Sequence, residues 1–439
     1  MKKLIALMLT GVMVMGMTAC GAKKEEAAVS QDTAKEVTES TSSASQKDSD
    51  PITFMCWYDE DDMEGVLEAI NTELAGEYEV EYMYVANSDF NNVLSTQLAA
   101  GEGPDIIADG ANFPARIKAE NVEEITGTDY LANFNEAGFA LCSDGDKIYG
   151  IPSYGWFSGI WYNKDIFEQN GINEVPETFD EFVAMCDTLS ANGVQPLGFG
   201  LADGDTALHS LLGYLENSFY HNNSANPDGI NFDVLFAKNE KTMNGALNDS
   251  VEKWSVLIEK GYINEEMLGV SNDQALADFI AGKTAMFNGG PWQYTSFADA
   301  GMNFGMMPHL SESGTNKYMV GGPAVNFGIN VNSKNKEGAQ AVLKAMASVA
   351  VQQAFVDANV GGFSYCAGVN AQMPEEYNDI KDIIDAGNIA CTWDRWSVNM
   401  PSQSLFDEAK SALQGLIVGG YTVEDYLKEL DDMATSIRY

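Results

Sequence analysis

Ile52-Thr53-Phe54-Met55-Cys56-Trp57 is a short, nearly continuous apolar run, the pattern of a strand buried on both faces. Behind it, Met63, Val66, Leu67, Ile70 and Leu74 recur at helical spacing and predict one buried helix face. Tyr78 to Val85 alternates as a strand does. Phe90, Val93, Leu94 and Leu98 mark a second helix, stopped by Gly101 and Gly103-Pro104, and Asp105 to Ala108 is a third strand. This β-α-β-α-β order predicts right-handed crossovers and a parallel, doubly wound sheet. Ligands of such sheets bind beyond the carboxyl ends of strands, which singles out Trp57-Tyr58-Asp59 and Asp109-Gly110-Ala111-Asn112.

The middle of the chain repeats the logic. Thr178-Phe179-Asp180-Glu181 is a capping box that opens a helix with Phe182, Val183, Cys186 and Leu189 on one face. Gly193 closes that helix, and Val194 to Phe199 resumes as a strand. Ala275 to Ala281 is helical, Gly282 ends it, and Lys283 to Phe287 is a strand leading into Asn288-Gly289-Gly290-Pro291-Trp292. One long helix is expected from about Lys336 to Val356. A last helix opens at Thr422 with Val423, Tyr426, Leu427, Leu430, Met433 and Ile437 inward. No short internal repeat exists, so a solenoid is excluded.

The 439 residues carry a net charge of -41. Such a surface repels phosphate backbones and anionic lipid, excludes a nucleic-acid role and favours a soluble monomer. Residues 1–19 read as a signal peptide: Lys2 and Lys3 precede an apolar stretch, Leu4 to Met17, too short to span a bilayer. It ends in Thr18-Ala19-Cys20-Gly21, similar to a bacterial lipobox, which implies that Cys20 becomes the acylated first residue on the outer face of the cell membrane. Residues 20–50 contain no aromatic, Leu or Ile and read as a disordered, lipid-anchored tether reaching roughly 30 Å.

Enzyme motifs fail one by one. Gly282-Lys283-Thr284 lacks the P-loop glycine, Ala277 standing in its place, and its lysine opens a strand. HExxH, CxxC and GxSxG are absent, and no GxGxxG follows a predicted strand. The three histidines, His209, His221 and His309, are scattered, so neither a triad nor a metal site is expected, and no cofactor. Asp59-Glu60-Asp61-Asp62 reads as a solvated acidic face, with Asp59 kept as a candidate because it ends a strand. Five cysteines beyond Cys20 cannot all pair, and Cys56 and Cys186 lie on core faces.

Seven tryptophans divide into two kinds. Trp161 and Trp254 lie inside predicted elements and read as core. Trp57, Trp156, Trp292, Trp393 and Trp396 sit at loop positions, the last two flanking Asp394 and Arg395. Bulky rings beside carboxylates and amides suit a flat, polar, uncharged ligand; sugar rings lay apolar C–H faces on aromatics and turn hydroxyls to Asp, Asn and Arg.

AAGEGPDIIAD (99–109), YGIPSYGWFSGIWYNKDIF (149–167), VPETFDEF (175–182), GKTAMFNGGPW (282–292) and VGGPAVNFGIN (320–330), in this order, resemble the extracellular solute-binding proteins of carbohydrate ABC importers, the family that includes maltose-binding protein. The resemblance implies an α/β, two-lobe periplasmic-binding-protein-like fold, each lobe a mostly parallel sheet with flanking helices, closing on ligand at a cleft. It implies lobe I from residues 51–155 and 317–362, and lobe II from 156–316 and 363–439. By position, Asp109 and Asn112 match ligand contacts of the first lobe, Tyr154 a polar contact in the crossover, and Trp292 the stacking tryptophan. Trp393 and Trp396 fall where a late second-lobe aromatic lies. The function implied is capture of a carbohydrate, an oligosaccharide, outside the cell and delivery to permease subunits, without catalysis. Two alternatives stay open: a secreted glycoside hydrolase using Asp59, Asp109 or Asp394, and the same fold binding a polyamine or other cation.

Overall fold

The computed structural model describes residues 50–202, 206–315, 317–390, 396 and 400–439. The chain opens with β1 (Ile52–Cys56), α1 (Glu60–Leu74), β2 (Val80–Tyr84), α2 (Asn87–Ala99), β3 (Ile106–Asp109) and α3 (Phe113–Lys118). β1 pairs in parallel with β2 and β3, setting Phe54 opposite Tyr82 on one side and Ile106 on the other. Alternation along β1 then dictates two layers. Phe54 packs with Ile70, Phe327 and Phe355 on one face, and Met55 packs with Phe90, Ile107 and Phe113 on the other. This is the doubly wound start the periodicity predicts.

A small hairpin, β4 (Ser143–Asp144) and β5 (Lys147–Ile148), precedes β6 (Ile151–Pro152), β7 (Gly155–Phe157) and β8 (Gly159–Asn163). Then come β9 (Gln195–Gly198), β10 (Thr284–Gly289), β11 (Phe304–Met307), β12 (Met319–Pro323), β13 (Asn326–Ile329) and β14 (Ile389–Ala390). Three larger sheets result, ordered β2-β1-β3-β13-β6, β11-β8-β10-β9 and β14-β12-β7. The first extends its parallel start with β13, antiparallel to β3, and then β6, antiparallel to β13. The second is mixed: β10 runs parallel to β9 but antiparallel to β8, and β11 is also antiparallel to β8.

The apolar residues form cores around each of the first two sheets, and the chain passes between them through paired strands. Tyr154 belongs to the first core and Phe157 to the second, while Trp156 packs against both. On the way back, Val320 packs with the second core and Val325 with the first. β7 and β12 therefore form an antiparallel bridge, with Trp156 opposite Gly322. The handover differs by a few residues from the sequence boundaries. Tyr365 and Cys366, beyond residue 362, still pack in the first core, and Met319 and Val320, beyond residue 316, still sit with the second.

The expected single helix from Lys336 is two, Lys336–Met346 and Val349–Asp357, because Ser348 adopts extended backbone and its Oγ accepts from the Val351 N–H at 3.2 Å. Helices Thr206–Leu215, Asn231–Ala237 and Ser402–Ile417 fill the second core without a sequence prediction. The first of these is buried nearly all round, so it shows no amphipathic stripe. Trp161 and Trp254 are core residues as read, and Cys56, Cys142, Cys186 and Cys366 are buried free thiols; Cys391 lies outside the described residues.

Candidate functional site

Around the β7–β12 bridge, the loops after β1, β3 and β10 carry most of the residues singled out from sequence. Trp57, half-buried, lays its ring edge-on against Phe90 at 4.9 Å. The next residue, Tyr58, is pinned from both sides. Its carbonyl accepts from Tyr82 Oη, and its hydroxyl meets Tyr154 Oη at 3.0 Å. Burial pushes the Tyr154 hydroxyl up to about 12, so it stays neutral and serves this contact. In this structure Tyr154 holds the first loop to the crossover.

The two first-lobe carboxylates are engaged. Asp59 is the N-cap of α1, its Oδ1 accepting from the Asp62 N–H at 2.9 Å. Asp109 is buried: Oδ2 accepts from Arg116 Nε at 2.8 Å and Oδ1 from the Gly110 N–H at 2.8 Å. Burial pushes its carboxyl up, and the Arg116 guanidinium pulls it back toward the ionised form. Arg116 is fixed in turn by Ser95 Oγ at 2.9 Å and Asn91 Oδ1 at 2.6 Å, both from α2. Asp109 thus ties the loop after β3 to two helices. Asn112 stands at the N-terminus of α3, half-exposed, with no side-chain cap bond.

On the other side, β10 is buried along its length and delivers Trp292 through Gly289-Gly290-Pro291. Gly290 is required by close packing on two sides, the indole and the Phe157 carbonyl. A Cβ on Gly290 would fall 2.2 Å from Trp292 Cζ3, so the missing side chain makes room for the indole itself. Gln293 Oε1 accepts from the Gly290 N–H at 2.8 Å and Trp161 Nε1 donates to Gly290 O at 3.2 Å, fixing the turn. Trp292 is 49% exposed and lies edge-to-face with Trp156, ring centres 5.8 Å apart. His209, not singled out from sequence, extends this wall. Its ring lies 5.7 Å from Trp156 and 5.7 Å from Phe406. No local pattern flags it, because its helix is otherwise buried all round, Thr206 and Ser210 included, and shows no stripe. Behind the wall His309 Nε2 and Asn288 Oδ1 are 2.5 Å apart, and burial drops His309 to about 3.

Trp393, Asp394, Arg395 and the anchor Cys20 lie outside the described residues. Trp396 is 1% exposed and packs in the second core, so here its indole does not face an open surface.

The sequence matches the family described as bacterial extracellular solute-binding protein over residues 59–353. The chain belongs to this family. Among relatives of this solute-binding protein, the multiple sugar-binding protein of Streptococcus mutans is 25% identical, over 72% of this chain and 76% of its own length. The galactooligosaccharide-binding protein of Bacillus subtilis is 23% identical, over 77% of this chain and 75% of its own. The fold is shared with a family 1 extracellular solute-binding protein from Bifidobacterium longum subsp. infantis, at TM-score 0.70 and 23% identity, covering 88% of this chain and 99% of that one. The two-core architecture of this chain is therefore that of a solute-binding protein, with β7 and β12 carrying the chain between its cores.

Proposed function

We propose that the protein captures an oligosaccharide outside the cell and delivers it to the permease subunits of an ABC importer, without chemistry on the sugar. The observation that carries this reading is the Trp156–Trp292 pair beside the crossing strands, with the Trp292 ring half open to solvent. Such a surface offers an aromatic face to the apolar side of a sugar ring. The printed names of the two relatives, a multiple sugar-binding and a galactooligosaccharide-binding protein, support the same class. A hydrolase would need a carboxylate pair free for proton transfer. Asp59 is spent on a helix cap and Asp109 on Arg116, which weighs against that alternative.

The leader and tether complete the proposal. Cys20, acylated, holds the body to the outer face of the cell membrane, and residues 21–50 give it reach. Among the described residues no helix is long and apolar enough to cross a membrane. Thermal-shift and calorimetric titration with raffinose, maltotriose, a galactooligosaccharide and spermidine tests the ligand class. A sugar that raises the melting temperature saturably supports the reading. A response to spermidine alone, or new reducing ends on incubation with the sugars, overturns it.

A further inference from the structure

A cavity of about 930 Å³ lies against the crossing strands, touching Gly322 and Pro323 of β12 and both residues of β14. It is not the candidate cleft: Trp57, Asn112, Trp156 and Trp292 do not line it. Local geometry gives its side. A Cβ on Gly155 would fall 2.1 Å from the Phe363 ring, and Phe363 lines the cavity. Phe157, on the same face of β7 as Gly155, packs in one cluster with Ile384, another lining residue. Neighbouring strand residues point to opposite faces, so Trp156 projects from the other side. The cavity thus occupies the reverse face of the bridge that carries Trp156.

Its walls are chemically distinctive. Tyr318 and His221 stack in parallel, 3.4 Å apart with a 4° interplanar angle. Phe363 and Tyr365 form a second aromatic pair at 5.1 Å. Lys381 Nζ is paired with Asp385 at 2.5 Å, and His221 Nε2 lies 3.6 Å from the buried Glu216 carboxylate. Among the described residues Asp385 is the lining's sole acid, in a chain with 65 acidic residues, so the lining offers flat aromatic faces and balanced charge. The Tyr318 wall is also pre-set. Asn217 Oδ1 accepts from the Lys317 and Tyr318 N–H groups at 2.9 and 3.1 Å, and its Nδ2 donates to Tyr318 O at 2.9 Å. A wall fixed beforehand lowers the ordering cost of binding, and the volume is that of a small-molecule site.

We propose that this reverse-face cavity is a second binding site, for a neutral, ring-shaped polyol such as a single sugar unit. The choice of ligand class rests on the sugar reading of the cleft; the site itself needs no particular cleft ligand. The test is saturation-transfer NMR and calorimetry with raffinose, galactose and myo-inositol on the mature protein. Three variants accompany it: Trp292→Ala, the double variant Tyr318→Ala/His221→Ala, and Ala371→Trp, which fills the cavity from a half-exposed position. We expect two binding events, the weaker one surviving in Trp292→Ala. That event should weaken at least tenfold in both cavity variants, at unchanged cleft affinity. Ala371→Trp keeps the test decisive if the double variant folds poorly. A single event, lost in Trp292→Ala and untouched by Ala371→Trp, overturns the second site and leaves the cleft reading standing. No binding of any of these sugars overturns both.

Discussion

Trp292 and His309 call for quite different tests. Trp292 is half exposed on a turn fixed by Gln293 and Trp161, so its ring contributes little to the core. Trp292→Ala is expected to weaken sugar binding by about 2 kcal/mol or more, as truncation of a central aromatic anchor does. Its stability loss should stay well below the about 3–5 kcal/mol typical of a core tryptophan. Calorimetry and denaturant unfolding on one variant decide this; a lowered unfolding midpoint with normal affinity would place Trp292 in the core. His309 is buried and held neutral down to about 3. Below its ordinary value the unfolded chain binds a proton that the folded chain refuses. Stability from this group is therefore intact above about pH 6.5 and falls as pH drops, by up to about 1.4 kcal/mol per unit. Unfolding at pH 7 and pH 5 should show a drop that His309→Gln reduces by roughly 2 kcal/mol.

Among the elements, the caps separate what local pattern announces from what it hides. The Thr178 box closes as read: Glu181 N–H donates to Thr178 Oγ1 at 3.2 Å, and Thr178 N–H to Glu181 Oε2 at 3.1 Å. Ser348 has Val351 at the position where a box would place Glu or Gln, so apolar spacing runs through it unbroken and one helix is expected where two form. Ser348→Ala should cost about 1 kcal/mol in denaturant unfolding and leave ligand affinity unchanged. A neutral result would mean that packing against α1, and not the cap, sets the break. The loop after β1 is an element-level device as well. Its aim depends on Tyr82 from β2 and Tyr154 from the crossover, which clamp Tyr58 between them.

Over the whole molecule, two cores joined by β7 and β12 make relative motion the expected mode of action. We take residues 51–155 with 317–362, shifted by the few residues noted at each handover, as one lobe and the remainder of the folded chain as the other. Ligand contacts that favour the closed state should shift the ensemble toward it. Small-angle scattering is therefore expected to show a smaller radius of gyration at saturation with a sugar that binds; an unchanged radius would indicate a rigid site. Anchoring acts at the same scale. Cys20→Ala should release the protein from membranes into the medium, and a variant that still sediments with them would end the lipid-anchor proposal. With a net charge of -41, the released chain should stay soluble.

Period and punctuation were enough for the strand–helix order of the first sheet, the buried status of Trp161 and Trp254, and the turn that presents Trp292. Each depends on neighbours within a few residues, where apolar spacing reports directly which face is covered. The uses of the polar candidates were not readable in this way. Asp59, a candidate site carboxylate, also caps α1, and Asp109, an expected ligand contact, is also bound to Arg116, itself held from α2. His209 joins Trp156 from another element, and Trp396, read as a loop aromatic, is packed inside the second core. A polar group's partner, and the face on which a strand's neighbour lies, are set by segments far apart in the chain. Folding brings them together to satisfy buried donors and acceptors, and one-dimensional spacing carries no record of that pairing.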